Sequence, residues 1–366
     1  NDASKYLNGV GDWAEAGGEL SNLIINGDFS VAQRGTSYTS TTWRKNDDDS
    51  YLLDRWLLLS DGNDVVDVTQ ISGAFSRSRY ALQAEVETAN KKFGFCQIIE
   101  ANTCIPLRGQ KISVSVAAKT VSAKLIENIR VAVLEWTGTA DAVTSDVVSA
   151  WNAKGSNPTW ATNWAALNVP TNLALTTSEQ TFKVENLTVG ASCNNLAVFV
   201  WVDDTDCAVD DILQLGEVQL VRGAIVPEFV PNNFDYELYR SKRRAIVIGG
   251  TGTSKYIYPV LGIRYLANYI YAYLPLDLAS KPTLYTSGPT LNTTTFASNN
   301  EIDLYNMSSP GFITITGAFT IDIDAATNQS SANIKFIAGT SFSGSNGDIV
   351  QVRFGETARI CFEAEL

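Results

Sequence analysis

Apolar and polar side chains alternate along most of this chain, as in Ile112, Val114 and Val116 against Ser113 and Ser115, or Ile313 and Ile315 against Thr314 and Thr316. A period of two sends successive side chains to opposite faces of an extended backbone, so the pattern predicts strands. Residues 129–136, 182–187, 196–202, 213–221, 333–337, 348–354 and 358–366 read the same way. In the last of these, Ile360, Phe362, Ala364 and Leu366 share one face, and Arg359, Glu363 and Glu365 the other. Helical spacing is scarce. Residues 144–151 predict one short helix, because a capping side chain precedes Val147 and Trp151 at an i, i+4 spacing. Residues 234–243 predict a second, opening after Pro231-Asn232-Asn233. Its end carries Arg240, Lys242, Arg243 and Arg244, cations that suit the C-terminus of a helix dipole.

The texture of the sequence changes near this second helix. All eight tryptophans precede it, and Tyr, Thr, Ser and Asn dominate afterwards. The chain is therefore expected to divide into a leader at 1–20, a β-sandwich at 21–230, a helical connector at 231–247 and a second, smaller β-sandwich at 248–366. The leader has neither a basic n-region nor an apolar h-region and reads as the end of something longer. Charged residues make up 18% of the chain, against ~25% in typical soluble domains. The surface must then be dressed with Ser, Thr, Asn and Gly, which favour turns and strand faces, so the fold class is all-β.

Charge narrows the chemistry. With 27 Lys and Arg against 39 Asp and Glu, the net charge of -12 offers no field to draw a nucleic acid backbone. The absence of histidine removes the usual near-neutral proton shuttle and every Ser-His-Asp or Cys-His arrangement, so any catalysis would run on carboxylates. The apolar run 196–202 falls far short of the ~20 residues of a membrane span, and no membrane insertion is expected. Cys96, Cys104, Cys193, Cys207 and Cys361 form no CxxC pair and are expected to be reduced, which suits folding in a cytoplasm. Asp47-Asp48-Asp49 and the group Asp203, Asp204 and Asp206 offer oxygen ligands to calcium. Neither has the spacing of a dedicated loop, so solvated turns are the better reading and no cofactor is expected.

Aromatic residues are the richer signal. Sugar rings present apolar C–H faces that stack on Trp and Tyr, while their hydroxyls bond to Asn, Asp and Gln. Trp151, Asn152, Asn157, Trp160, Asn163 and Trp164 are such a mixture in one loop-rich segment, and Trp43 lies in the polar stretch 41–49. Trp56, Trp136 and Trp201 stand in apolar strand contexts and read as core, and Trp151 reads as the anchor of its helix. Trp43, Trp160, Asn163 and Trp164 are the carbohydrate-binding candidates, with Trp160 and Trp164 readable as platform or as core. Beyond the connector, Tyr256, Tyr258, Tyr265, Tyr269, Tyr271 and Tyr273 form a dense run. Of these, Tyr265, Tyr269, Tyr271 and Tyr273 suit a receptor surface or a seam between copies.

The segment Asn22-Leu23-Ile24-Ile25-Asn26-Gly27-Asp28-Phe29, followed by Gln33-Arg34-Gly35-Thr36 and Asp54-Arg55-Trp56, resembles the opening of a family of bacteriophage tail-fibre and related virion proteins. The lead domain of that family is similar to a carbohydrate-binding jelly-roll module. Residues 136–141 and 143–148, Glu217-Val218-Gln219-Leu220 before Pro227-Glu228-Phe229, residues 281–285 and residues 358–366 fit the same family, so the resemblance extends over nearly the whole chain. The stretch from Lys5 to Trp13 looks like the Leu-x-Gly-x-Gly-x-Trp endings of phage fibre shafts. Two departures stand out. Ser241-Lys242-Arg243-Arg244 replaces a Cys-Gln-Arg-Tyr-Tyr type sequence, and Gly216 stands where such modules carry a calcium-binding aspartate.

The resemblance implies a structural virion protein without catalysis, folded in the host cytoplasm. It would be a homotrimeric distal tail-fibre segment that adheres to host polysaccharide or lipopolysaccharide, joined to other virion proteins through chain before Asn1. Two alternatives come from other classes: a head or collar decoration with no specific receptor, and a polysaccharide-cleaving tailspike using a carboxylate pair ~5 to 10 Å apart. The long parallel β-helix typical of such spikes leaves repeating rungs, and none are visible in this sequence.

Overall fold

The computed structural model describes residues 5–7, 13–15, 22–121, 125–203, 207–249, 260–275, 278, 282–286, 290–292, 301–313, 315–316, 319–323, 331–354 and 359–366. It is built almost wholly from strands and divides into two compact units. One holds residues 1–32, 36–233 and Leu366; the other holds residues 33–35 and 234–365.

Nine principal strands build the first unit: β1 (Leu57–Ser60), β2 (Val66–Ser72), β3 (Tyr80–Val86), β4 (Phe93–Ile99), β5 (Lys111–Thr120), β6 (Asn128–Trp136), β7 (Gln180–Thr188), β8 (Asn195–Val202) and β9 (Ile212–Arg222). One antiparallel sheet runs β6-β8-β4-β1, with short strands Trp164–Ala166 and Ser50–Tyr51 at its ends. The other runs β7-β5-β9-β3-β2 and ends on Ser37–Tyr38. Apart from the β2–β3 hairpin, each successive connection among these nine strands crosses between sheets, which is the jelly-roll arrangement. The facing surfaces enclose a core that includes Val66, Val68, Leu82, Val114, Val116, Val131, Val133, Val198, Val200, Leu213 and Leu215.

The opening motif locks this sandwich. Asn26, at φ 57°, bonds through its amide to both backbone groups of Val31 and to the Asp54 carbonyl, and its own carbonyl accepts the indole N–H of Trp56 at 2.9 Å. Phe29 packs on Trp56 with ring centroids 5.0 Å apart. Gly27 lies so close to β9 that a Cβ there would meet the Val218 carbonyl oxygen at 2.0 Å. At Gly216 a Cβ would meet the Phe75 ring at 2.5 Å, so a covering aromatic ring fills the space where calcium-binding modules would carry an acid.

The expected helix at 144–151 is instead a strand, Val148–Ala150, paired with Thr159–Trp160. Asp146 Oδ1 takes the Val148 N–H at 2.8 Å, a bond that could equally cap a helix, but two adjacent β-branched valines favour extended backbone and the strand pairing holds it there. The second helix is present at Phe234–Lys242. All five cysteines are buried free thiols.

The second unit contains β10 (Ala245–Gly249), β11 (Val260–Leu266), β12 (Tyr269–Pro275), β13 (Thr283–Thr286), β14 (Glu301–Asn306), β15 (Phe319–Ile323), β16 (Ser331–Ala338), β17 (Ile349–Phe354) and β18 (Arg359–Glu363). A three-stranded sheet, β10-β18-β13, accompanies a larger one ordered β14-β17-β11-β12-β16-β15. Ile270, Ala272, Ile334, Phe336, Val350 and Val352 from the larger sheet join Ile248, Ile360 and Phe362 from the smaller in one core. Within this unit the buried Arg34 guanidinium reaches Glu363 at 2.8 Å and Glu365 at 3.0 Å. The closing segment thus buries Ile360, Phe362 and Ala364 while its alternate acids grip an arginine.

Candidate functional site

Every position of β8 is buried, so both faces of its sheet must be covered. The inner face meets the opposite sheet. The outer face, with Leu57, Leu59, Ile98, Leu134, Trp136, Phe199 and Trp201, is covered by the excursion between β6 and β7, which brings Val147, Val148, Trp151, Trp160 and Trp164 onto it.

At the centre of this cover is an aromatic shelf. Phe199 and Trp201 stack at 5.1 Å and 13°. Trp160 meets both edge-on, at 6.3 and 5.8 Å, and Trp151 lies against Phe199 at 6.0 Å. Trp151 and Trp160 are each half-buried, so part of both rings reaches solvent. Trp201 is fully buried and its indole N–H has no partner.

Polar side chains brace the shelf. Arg130 donates from Nε to Asn172 at 2.6 Å and from Nη1 to Asn157 at 2.7 Å. Asn152 donates to the Asn157 carbonyl at 2.7 Å. Below them the buried Asp203 carboxylate holds Lys92 at 3.3 Å, Arg130 at 3.5 Å and the Gly155 N–H at 2.8 Å. With its charge balanced by two cations, Asp203 acts as a brace beneath the shelf. Asp204 and Asp206 lie outside the described residues, as do Tyr256 and Tyr258. Among the described residues, no group of three or more acids or cysteines is placed to hold a metal ion.

The sequence candidates therefore separate. Trp160 belongs to the shelf. Trp164 is core: it is 5% exposed, packs on Trp136 at 5.3 Å and donates to the Thr144 carbonyl at 3.1 Å. Asn163, at φ 69°, is an exposed turn residue whose carbonyl accepts the Thr137 N–H. Trp43 is half-buried and directly follows the turn that the Thr42 N–H closes on the Thr39 carbonyl. Sequence reasoning placed Trp201 in the core and passed over Phe199. The signal that could have found them is the unbroken apolar run of β8, which requires a cover on each face.

Asp48, Asp49 and Asp146 form a mutually repelling group. Burial, with Asp48 and Asp49 adding to it, pushes the Asp146 carboxyl up to about 6 against the opposing Val148 N–H. Burial likewise raises Asp49, whose Oδ2 accepts from the Ser145 hydroxyl at 3.0 Å, and Asp48, which accepts the Ser60 N–H at 2.7 Å.

In the second unit, β11 and β12 bring the tyrosines onto the outer face of the larger sheet. Tyr265 and Tyr271 meet edge-on at 5.8 Å, Tyr269 and Tyr271 at 6.4 Å, and Lys335 sits 4.6 Å over the Tyr269 ring. Tyr265 and Tyr273 are mostly exposed. Leu261, Ile263, Tyr265, Tyr271 and Tyr273 line an open groove of about 560 Å³.

No protein-family model matches the chain, and the search of curated proteins returns no match. Among solved structures, it is similar to TmCBM61, determined in complex with beta-1,4-galactotriose, at 12% identity and a TM-score of 0.31, over 56% of this chain and 99% of that one. The CBM22-1 xylan-binding domain from Paenibacillus barcinonensis Xyn10C matches at 10% identity and 0.31, over 50% of this chain and 94% of that one. The enzymatically active domain of bacteriophage CBA120 tailspike protein 4 matches at 14% and 0.32, over 55% of this chain and 21% of that one. Similarity at this level assigns neither ligand nor activity to this chain.

Proposed function

We propose that this chain is a non-catalytic adhesion segment of a bacteriophage appendage, a virion component whose first unit holds host surface polysaccharide or lipopolysaccharide. The half-open aromatic shelf carries the reading. Trp160 and Trp151 offer ring surface to the C–H face of a sugar, and Asn152, Asn157 and Asn172 supply the amide chemistry that sorts hydroxyls. One such shallow site binds weakly, so copies in a fibre, three in the reading from the leader and opening motifs, would supply strength through avidity.

A glycan array and affinity electrophoresis against host envelope polysaccharide test it. Retention of the intact chain, weakened at least tenfold by Trp160→Ala, is expected. A chain that retains no saccharide favours the scaffold alternative, and retention indifferent to Trp160→Ala removes the shelf from the reading.

A second reading, glycan cleavage, has one observation behind it. Asp146, raised to about 6 and clustered with Asp48 and Asp49, is the kind of carboxyl group that general-acid chemistry uses. Release of reducing ends from envelope polysaccharide, abolished by Asp146→Asn, would establish cleavage in place of simple adhesion.

A further inference from the structure

We infer that the outer face of β11, β12 and β17 is the surface through which copies of this chain join one another. In the strand register Ile349 and Tyr271 both stand opposite Ile263, so the apolar row runs unbroken across three strands. Leu261, Ile263, Tyr265, Tyr273 and Ile349 are each about half to two-thirds exposed, and Tyr271 is half-buried between them.

An antiparallel sheet in a single small unit normally turns a polar face to water. Here the inward residues Ile270, Ala272 and Val350 are buried in the core, and their outward neighbours are apolar or aromatic except for Gln351, opposite Leu261, a pattern close to that of strands covered on both sides. Among the described residues of the unit, only the inner face of this sheet is covered. These six side chains offer on the order of 600 Å², the upper end of the ~300–600 Å² largest patch of a typical monomer and approaching the roughly 800 Å² per partner of a standard interface.

Two observations favour a second copy over a glycan or an unrelated protein. Three of the six side chains are aliphatic and offer a sugar ring nothing planar to stack on, and Tyr265 and Tyr271 meet edge-on instead of forming one flat platform. None of the six side chains carries a charge, and the cation on the neighbouring strand, Lys335, is engaged over the Tyr269 ring, while the chain as a whole carries -12. Identical acidic molecules repel wherever their charges meet, so they associate best through an uncharged patch that meets itself about a symmetry axis. This deepens the reading of avidity given above and rests on it only for the use made of the assembly.

Sedimentation equilibrium of the intact chain between 1 and 100 µM tests the inference. The expected result is a discrete oligomer, with Ile263→Glu and Tyr273→Glu each raising the dissociation constant at least tenfold and leaving the near-ultraviolet dichroism native. Both side chains point to solvent within the unit, and either variant suffices if the other misfolds. A wild-type chain that stays monomeric at 100 µM overturns the inference. So does an oligomer indifferent to both variants. Binding of a short soluble oligosaccharide, measured on the same samples, keeps the two readings apart: loss of assembly with unchanged binding per chain leaves the adhesion site standing, and the reverse removes that site alone.

Discussion

Trp160 and Trp164 lie four positions apart, and replacing each should have opposite consequences. Trp164→Ala removes a ring 5% exposed and packed on Trp136, so urea denaturation should show a loss of about 3–5 kcal/mol. Trp160→Ala removes a ring that already reaches solvent, so stability should fall by only about 1–2 kcal/mol while saccharide retention is lost. Local sequence could not separate the two, because both stand among Pro158, Thr159, Thr162 and Asn163. What separates them is which strand lies beneath: Trp164 pairs with β6 directly opposite Trp136, whereas Trp160 crosses Phe199 and Trp201 on β8. Arg34 was legible as part of a motif, but its partners Glu363 and Glu365 are more than 300 positions away, and no periodicity reports a contact at that range. Arg34→Ala removes the buried cation between two largely buried carboxylates and should cost about 3–5 kcal/mol, read as an earlier unfolding transition in calorimetry.

At the scale of elements, the alternation of apolar and polar residue types located β5 and β18, but it did not report burial: Ser113, Ser115 and Cys361 are buried along with the apolar residues beside them. It failed at 144–151, where i, i+4 spacing is as compatible with a covering strand as with a helix. That excursion carries the acid group, which makes its stability depend on pH. Asp146 has a folded value near 6 against 3.8 for the free side chain, so the folded state holds the proton more tightly. The stabilisation is complete below about 4 and is lost as pH rises through 6. Asp146→Asn keeps an oxygen acceptor for the Val148 N–H and removes the charge. At pH 7 the variant should be more stable than the wild type by about 1 kcal/mol, a figure reduced for solvent screening, and the difference should vanish at pH 4. Paired thermal melts at the two pH values check it; a variant less stable at pH 7 would mean that Asp146 is held ionised by a cation.

For the whole molecule, the balance between charge and apolar surface decides how copies meet. The run of tyrosines was legible in the sequence, but whether a second layer covers it was not, since alternating residues that are apolar on both faces look the same in a buried strand and in a bare one. If acidic copies join through an uncharged sheet face, the long-range force between them is repulsive and the short-range force is hydrophobic. Salt screens the first and leaves the second, the Debye length shrinking from about 30 Å at 0.01 M to a few Å near 1 M. Self-association should therefore tighten several-fold as sodium chloride is raised from 10 to about 500 mM, the opposite of a seam held by ion pairs. Sedimentation at the two salt concentrations gives the sign directly. Retention on immobilised polysaccharide should follow the same trend in the wild type, because each added copy adds a linked site, and should stay flat in Ile263→Glu, whose sites act singly. A wild-type assembly that dissolves in salt would place charged side chains at the seam and exclude the face formed by Leu261, Ile263 and Tyr273.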